Sequence, residues 1–292
     1  MRIALLIADL EGIANVDRLD ALAFGGEGHP EACARMTVEV NAAIEGLVSQ
    51  GFEHVRVSDS HRSGSGAPNL SPGQLHDAAQ LHFVDPDSYG GPLLTGVEAV
   101  ACVGMHAAAG TRGFAAHTVQ VHTAWLLGGQ LLSETQLAFF LAADLGLRAV
   151  FAAGDDVLGR AVGLLSPYVT TKRSAAIDSA ASNDCVPQLI RAAAATSPCA
   201  LQQAPAGPLT LRFKTRAQAA AAADAGAQRT SDFECTFTGS RFTDRYLAAL
   251  RAIGATEHLL GEGLTAMPGT AEFAAFAAGL LLEPFPDLQP AR

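Results

Sequence analysis

Ile3-Ala4-Leu5-Leu6-Ile7-Ala8 runs without a break into Asp9-Leu10-Glu11-Gly12. A run of aliphatic residues that ends in a polar turn reads as a strand buried on both faces, delivering its last side chains to the carboxyl edge of a sheet. Open α/β sheets keep their binding sites along that edge. In an extended chain Asp9 and Glu11 are two apart and point to the same side, so their carboxylates sit close together. Two anions so placed need a cation or a shared proton.

The same plan recurs downstream. A helix is predicted over Glu31 to Gln50 from the spacing of Ala32, Met36, Val40, Ala43, Ile44 and Leu47, with Gly51 closing it. Val55-Arg56-Val57 then leads into Ser58-Asp59-Ser60-His61, and the apolar run Val97 to Met105 leads into His106 and a small-residue loop that reaches His117. Ser133 reads as the N-cap of a long helix that opens at Glu134 and runs to about Leu145. Ala149 to Ala153 ends in Gly154-Asp155-Asp156, where the two acids read as the cap and first turn of another helix rather than as a further ligand pair. Between these elements, Leu70 to Gln80 reads as a short helix, His82-Phe83-Val84 as a strand, Pro86 to Pro92 as a loop, and Val119 to Leu132 as a hairpin around Gly128-Gly129.

Strands alternating with helices predict a three-layer α-β-α domain with a mainly parallel sheet. Beyond Ser166 the pattern changes to a short strand at Tyr168 to Lys172, strands at Leu209 to Phe213 and Phe233 to Thr238, and helices over Ser182 to Ala195, Arg216 to Ala227, Arg241 to Ile253 and Ala271 to Leu282. The expected division is an α/β domain over residues 1–166 and a smaller α+β domain over residues 167–292, with ample chain for a core in a protein of 292 residues.

Composition narrows the partners. A net charge of −10 and the lack of any basic stripe argue against nucleic acid. Ile3 to Ala8 is too short for a signal core or a membrane span, so no membrane partner and a cytoplasmic location are expected. The 5 cysteines, Cys33, Cys102, Cys185, Cys199 and Cys235, are scattered without a C-x-x-C pair. A disulfide framework or a thiolate metal site is therefore not expected, and any metal would take imidazole and carboxylate ligands.

Asp9, Glu11, His61, His106, His117 and Glu134 all fall at predicted strand tips or helix starts. Taken singly, each has an ordinary reading: ion-paired acids, a histidine capping a turn, a core imidazole, a first-turn glutamate favoured by the helix dipole. Taken together, nitrogen and oxygen donors at one sheet edge are the ligand set of a pair of borderline divalent ions, zinc above all. Two such ions suit hydrolysis, because together they lower the pKa of a water and polarise a carbonyl.

Asp9-x-Glu11-Gly12, Ser58-Asp59-Ser60-His61, Gly104-x-His106 followed by His117, Glu134 at a helix start and Ala153-Gly154-Asp155-Asp156 resemble, in the same order and spacing, the M55 metallopeptidases. The likeness is strong from residue 3 to roughly residue 175 and weaker beyond. It implies two zinc ions per chain with Asp9, Glu11, His61, His106 and Glu134 as ligands and Asp9 as the bridge. In that scheme Asp9, Glu11 and His106 hold one ion, and Asp9, His61 and Glu134 hold the other. It also implies a catalytic His117, either as an oxyanion donor or as a carrier of protons. One position departs: Ile7 stands where the family has serine.

The activity implied is that of an aminopeptidase or related amidohydrolase that releases an N-terminal residue, of D configuration in the family, from short peptides or amino-acid amides. The resemblance also implies a ring-shaped homo-oligomer, a decamer of stacked pentamers. Two other readings stand beside it: a metal-dependent peptide-binding protein without turnover, and a hydrolase of a non-peptide amide.

Overall fold

The computed structural model describes residues 1–61, 63, 67–83, 94–162, 167–172, 185–254, 285, 286 and 288. The opening run forms β1 (Ile3–Ala8), every residue of it buried. The helix expected next is α1 (His29–Ser49), started by Pro30 in its first turn, and it returns the chain to β2 (His54–Asp59), β3 (Ala79–Phe83) and β4 (Val97–Met105). The hairpin follows as β5 (Thr123–Leu127) and β6 (Gln130–Leu132), then α2 (Glu134–Asp144), β7 (Arg148–Asp155), α3 (Asp156–Val162) and β8 (Tyr168–Lys172). The chain continues through α4 (Val186–Thr196), β9 (Leu209–Phe213), α5 (Arg216–Asp224), β10 (Gln228–Arg229), β11 (Glu234–Phe237) and α6 (Phe242–Ala252).

Six strands make one sheet in the order β3-β2-β1-β4-β7-β8, all pairs parallel. The alternation of side chains along β1 explains the layers. Ala4, Leu6 and Ala8 pack with Met36, Val40 and Ile44 of α1 and Ile190 and Ala194 of α4, while Ile3, Leu5 and Ile7 pack on the other face with Ala138, Phe139 and Ala142 of α2 and Leu158 of α3. This is the three-layer α-β-α arrangement expected. Ile7 thus points into an apolar layer, where the serine of the family would meet Cys102 and Ala138 rather than the strand-tip acids.

A second sheet, β10-β11-β9-β5-β6, is antiparallel throughout. Its inner face, including Trp125, Leu211, Phe213 and Phe237, packs on Leu137, Phe140 and Leu141 of α2 and on Phe242 and Tyr246 of α6. Helix α2 is therefore apolar all round because it is clamped between two sheets, and its N-terminus is held where the two cores meet. The sheets share the chain in an interleaved way, with β5 and β6 in the second sheet and β8, after residue 166, in the first.

The segment Leu70 to Gln80, expected as a helix, is instead a short 3-10 turn at Pro72–Gln74 followed by β3. Pro72-Gly73 interrupts helical propagation, and Asn41 fixes the alternative path by donating to the Gln74 carbonyl at 2.7 Å and accepting from the His76 N–H at 2.8 Å. The expected loop Pro86 to Pro92, the helix Ala271 to Leu282 and residues 182–184 of the helix predicted from Ser182 lie outside the described residues. Among the described residues no helix is long and apolar enough to cross a membrane.

Candidate metal centre

From β1 the chain order runs outward through β2 and β3 on one side and through β4, β7 and β8 on the other, so the carboxyl ends of β1 and β4 form a topological switch point. Asp9 follows β1, His61 follows β2, His106 follows β4, His117 lies between β4 and β5, and Glu134 is the first residue of α2. Backbone contacts press these tips together. Asp9 donates its N–H to the Val103 carbonyl at 2.9 Å, and Gly12 donates to the Gly104 carbonyl at 2.7 Å. Gly104 holds a left-handed φ of +74°, and a Cβ there would come within 2.0 Å of the Asp9 carbonyl oxygen. Only glycine permits that approach.

The structure gathers all six side chains singled out in the sequence. Asp9 lies between two imidazoles, its Oδ1 3.5 Å from His61 Nδ1 and its Oδ2 3.4 Å from His106 Nε2. Glu11 Oε2 is 3.0 Å from His61 Nδ1, and Glu134 Oε1 is 3.5 Å from His106 Nε2 and 3.7 Å from His117 Nε2. The rings of His106 and His117 stack with centroids 4.0 Å apart. Donor atoms fall into two triads that share Asp9, namely Asp9, Glu11, His61 and Asp9, His106, Glu134, with Glu11, His106, His117 as a third grouping. His61 lies beside Glu11 and His106 beside Glu134, while Glu11 also falls with His106 in the third grouping.

The far nitrogen of each ring is anchored on backbone. His61 Nε2 meets the Leu22 carbonyl at 2.7 Å, His106 Nδ1 the Ala107 carbonyl at 3.0 Å, and His117 Nδ1 the Ala115 carbonyl at 2.8 Å. Such contacts fix ring orientation and leave the other nitrogen to a ligand or a proton. Glu134 Oε1 is itself held by the Val119 N–H at 2.8 Å, which a left-handed φ of 65° at Val119 turns toward it. These backbone partners were invisible in the sequence, since no residue type marks a carbonyl or an N–H.

The electrostatics ask for a cation. Burial, reinforced by Glu11, pushes the Asp9 carboxyl up to about 7. Burial alone would discharge His61 and His106, yet the facing carboxylates hold both imidazoles well above the usual histidine value. Burial opposes ionisation of Glu11 and Glu134 as well, but the imidazoles beside them keep both carboxyls low. His117 moves the other way, lowered by burial and then by His106. Three carboxylates crowd the two imidazoles His61 and His106, a surplus of negative charge that a bound cation would offset. His106 Nε2, buried and without a hydrogen-bond partner among the described residues, is the atom that a divalent ion would satisfy. The donor set of three carboxylates and two or three imidazoles fits zinc.

A family model described as D-aminopeptidase, of peptidase family M55, matches residues 1–251. The chain belongs to the M55 family. Membership makes it a metallopeptidase, the activity class that the motif pattern implied. Among solved structures, the M55 chain is similar to the Zn-dependent D-aminopeptidase DppA from Bacillus subtilis, a self-compartmentalizing protease, at 22% identity over 88% of this chain and 98% of that one. The TM-score of 0.73 shows that the two share a fold. No curated protein matches the M55 chain in sequence.

Proposed function

We propose that the chain is a dinuclear zinc aminopeptidase or related amidohydrolase that releases an N-terminal amino acid from short peptides or amino-acid amides. The observation that carries this reading is the buried donor cluster in which Asp9 offers one oxygen toward His61 and the other toward His106. That disposition suits a bridging carboxylate. Asp9, Glu11 and His61 would hold one zinc, and Asp9, His106 and Glu134 the other. Zinc bound there would make a nucleophile of water at neutral pH and polarise the scissile carbonyl.

His117 is the proposed catalytic residue. Its Nδ1 faces the Ala115 carbonyl, so the ring donates there and leaves the Nε2 lone pair directed toward the Glu134 side of the centre. A neutral imidazole held this way takes a proton from the attacking water and returns it to the leaving amine. Lowering of its proton affinity by burial keeps it in the basic form at neutral pH.

Residues 1–166 carry all of these donors, and we assign residues 167–292 to the substrate pocket and to oligomer contacts. The family's description as D-aminopeptidase supports N-terminal D-residues as substrates. The self-compartmentalizing neighbour supports a homo-oligomer, a decamer in this reading. Cysteines that are all free are consistent with the cytoplasm. The test is a panel of D- and L-aminoacyl amides and dipeptides presented to the zinc-loaded chain, with metal analysis on the same sample. Release of amine at about two zinc equivalents per chain is expected. Full loading without release from any member of the panel would leave a peptide-binding protein instead.

A further inference from the structure

At the tip of β7 lies Asp155, a carboxylate only 1% exposed that the proposed chemistry does not use. Its two oxygens are committed to different parts of the fold. Oδ1 accepts the Leu158 N–H at 2.7 Å and starts α3, while Oδ2 accepts the Ala107 N–H at 3.1 Å, just past the tip of the neighbouring strand β4. The other polar group of Ala107, its carbonyl, takes the His106 ring at Nδ1. Ala107 is therefore pinned at both of its peptides, one by Asp155 and one by the imidazole it orients.

The loop that brings His117 closes on the same carboxylate. A Cβ on Gly113 would stand 2.8 Å from Asp155 Oδ2 and 2.4 Å from the Ala107 Cβ, so the loop backbone runs directly over this pair. Asp155 is in turn held from β8, where the Tyr168 hydroxyl donates to its main-chain oxygen at 2.6 Å. Among the described residues Asp155 belongs to none of the donor groupings at the centre.

We infer that Asp155 is a positioning residue for the metal centre, fixing the His106 ring through Ala107 and seating the loop that stacks His117 on it. This rests on the dinuclear reading above. It goes beyond helix capping, because a cap needs one acceptor oxygen and this site uses both.

The test separates the two roles. Asp155→Asn retains a good capping group but offers one acceptor where two N–H groups converge, and Asp155→Ser keeps a capping oxygen too short to span both. The full-length wild type, both variants and the neighbouring control Asp156→Asn are stripped, checked for folding by circular dichroism, and titrated with zinc against a chromophoric chelator and with cobalt by visible absorption. Wild type and control should load two ions. The Asp155 variants should fold, lose about 10- to 100-fold in affinity for one ion only, and show an altered cobalt band for that ion, the scale expected when a residue behind a ligand is removed. Wild type loading two ions with both folded variants matching it in affinity and spectrum would overturn the inference alone. A wild type that loads fewer than two would overturn the dinuclear reading and this inference with it. If Asp155→Asn does not fold, Asp155→Ser decides by the same readings on its folded fraction, and failure of both to fold would make Asp155 a structural cap and overturn the inference.

Discussion

The imidazoles of His106 and His117 lie 4.0 Å apart and 9° from parallel, one ring wholly buried and the other partly open. Parallel rings at that distance cannot both be protonated without strong repulsion, and the shifts run accordingly, His106 up and His117 down. In the proposed chemistry the two rings take different parts: His106, whose Nε2 faces both Asp9 and Glu134, is the ligand, and His117, whose Nε2 lies beside Glu134, is the base. His106→Ala should lose metal and turnover together, whereas His117→Ala should keep its zinc and lose about 100- to 10,000-fold in kcat. Metal analysis beside steady-state kinetics checks both, and a fully active His117→Ala would remove that residue from the chemistry.

The grouping of donors gives a second prediction. With His61 beside Glu11 and His106 beside Glu134, His61→Ala and Glu11→Gln damage the same ion, so the double variant should bind zinc about as the worse single does. His61→Ala combined with Glu134→Gln should lose both ions. The pairing implied by family resemblance makes the opposite prediction, with Glu134 and His61 on one ion, and zinc titration of the two doubles decides between them.

Much of this centre was legible because its donors sit where short-range pattern changes abruptly. An apolar run cut off by Asp9 or by His106 marks a strand tip without any knowledge of the partners. What could not be read were relationships between distant segments. The pairing of β5 with β9 joins Thr123 to Phe213 and has no local signature, so the hairpin could not be placed in the second sheet. Nor could the all-apolar stretch of α2 reveal that it separates two cores. The helix expected over Leu70 to Gln80 gives way to Pro72-Gly73 and to the tether to Asn41, a distant contact that sets the chain on another path.

Glu39 offers a prediction away from the centre. On α1 its Oε1 accepts the Ala14 N–H at 2.9 Å, while Oε2 is buried without a hydrogen-bond partner among the described residues. Burial pushes this carboxyl up to about 8. Between an unfolded value near 4.5 and that value the native state binds more protons than the unfolded one, so this group makes stability fall as pH rises through the window. The penalty is absent below pH 4 and complete above pH 8, growing by roughly 1 kcal/mol per pH unit between. Glu39→Gln keeps an acceptor for Ala14 and should remove the slope. Urea unfolding of wild type and variant at pH 5 and pH 8 measures it: a difference between the two that does not grow with pH would refute the assignment.

Two left-handed residues flank the centre and carry opposite predictions. Gly104, at φ +74°, packs its Cα against the Asp9 carbonyl, so Gly104→Ala adds backbone strain to a 2.0 Å collision that no rotamer relieves. It should cost more than about 3 kcal/mol and abolish zinc binding, since β1 and β4 must part to admit the methyl group. Val119, at φ 65°, holds a conformation that a β-branched side chain resists, and its function at the centre is carried by the N–H donated to Glu134. Val119→Gly keeps that donor and relieves about 1–2 kcal/mol of strain, offsetting both the lost packing of a half-buried side chain and the added freedom of the unfolded chain. Its stability should lie within about 1 kcal/mol of wild type with zinc binding intact. Thermal unfolding with and without zinc tests both, and a Val119→Gly chain that folds but no longer loads zinc would show that the side chain, rather than the N–H it orients, holds Glu134 in place.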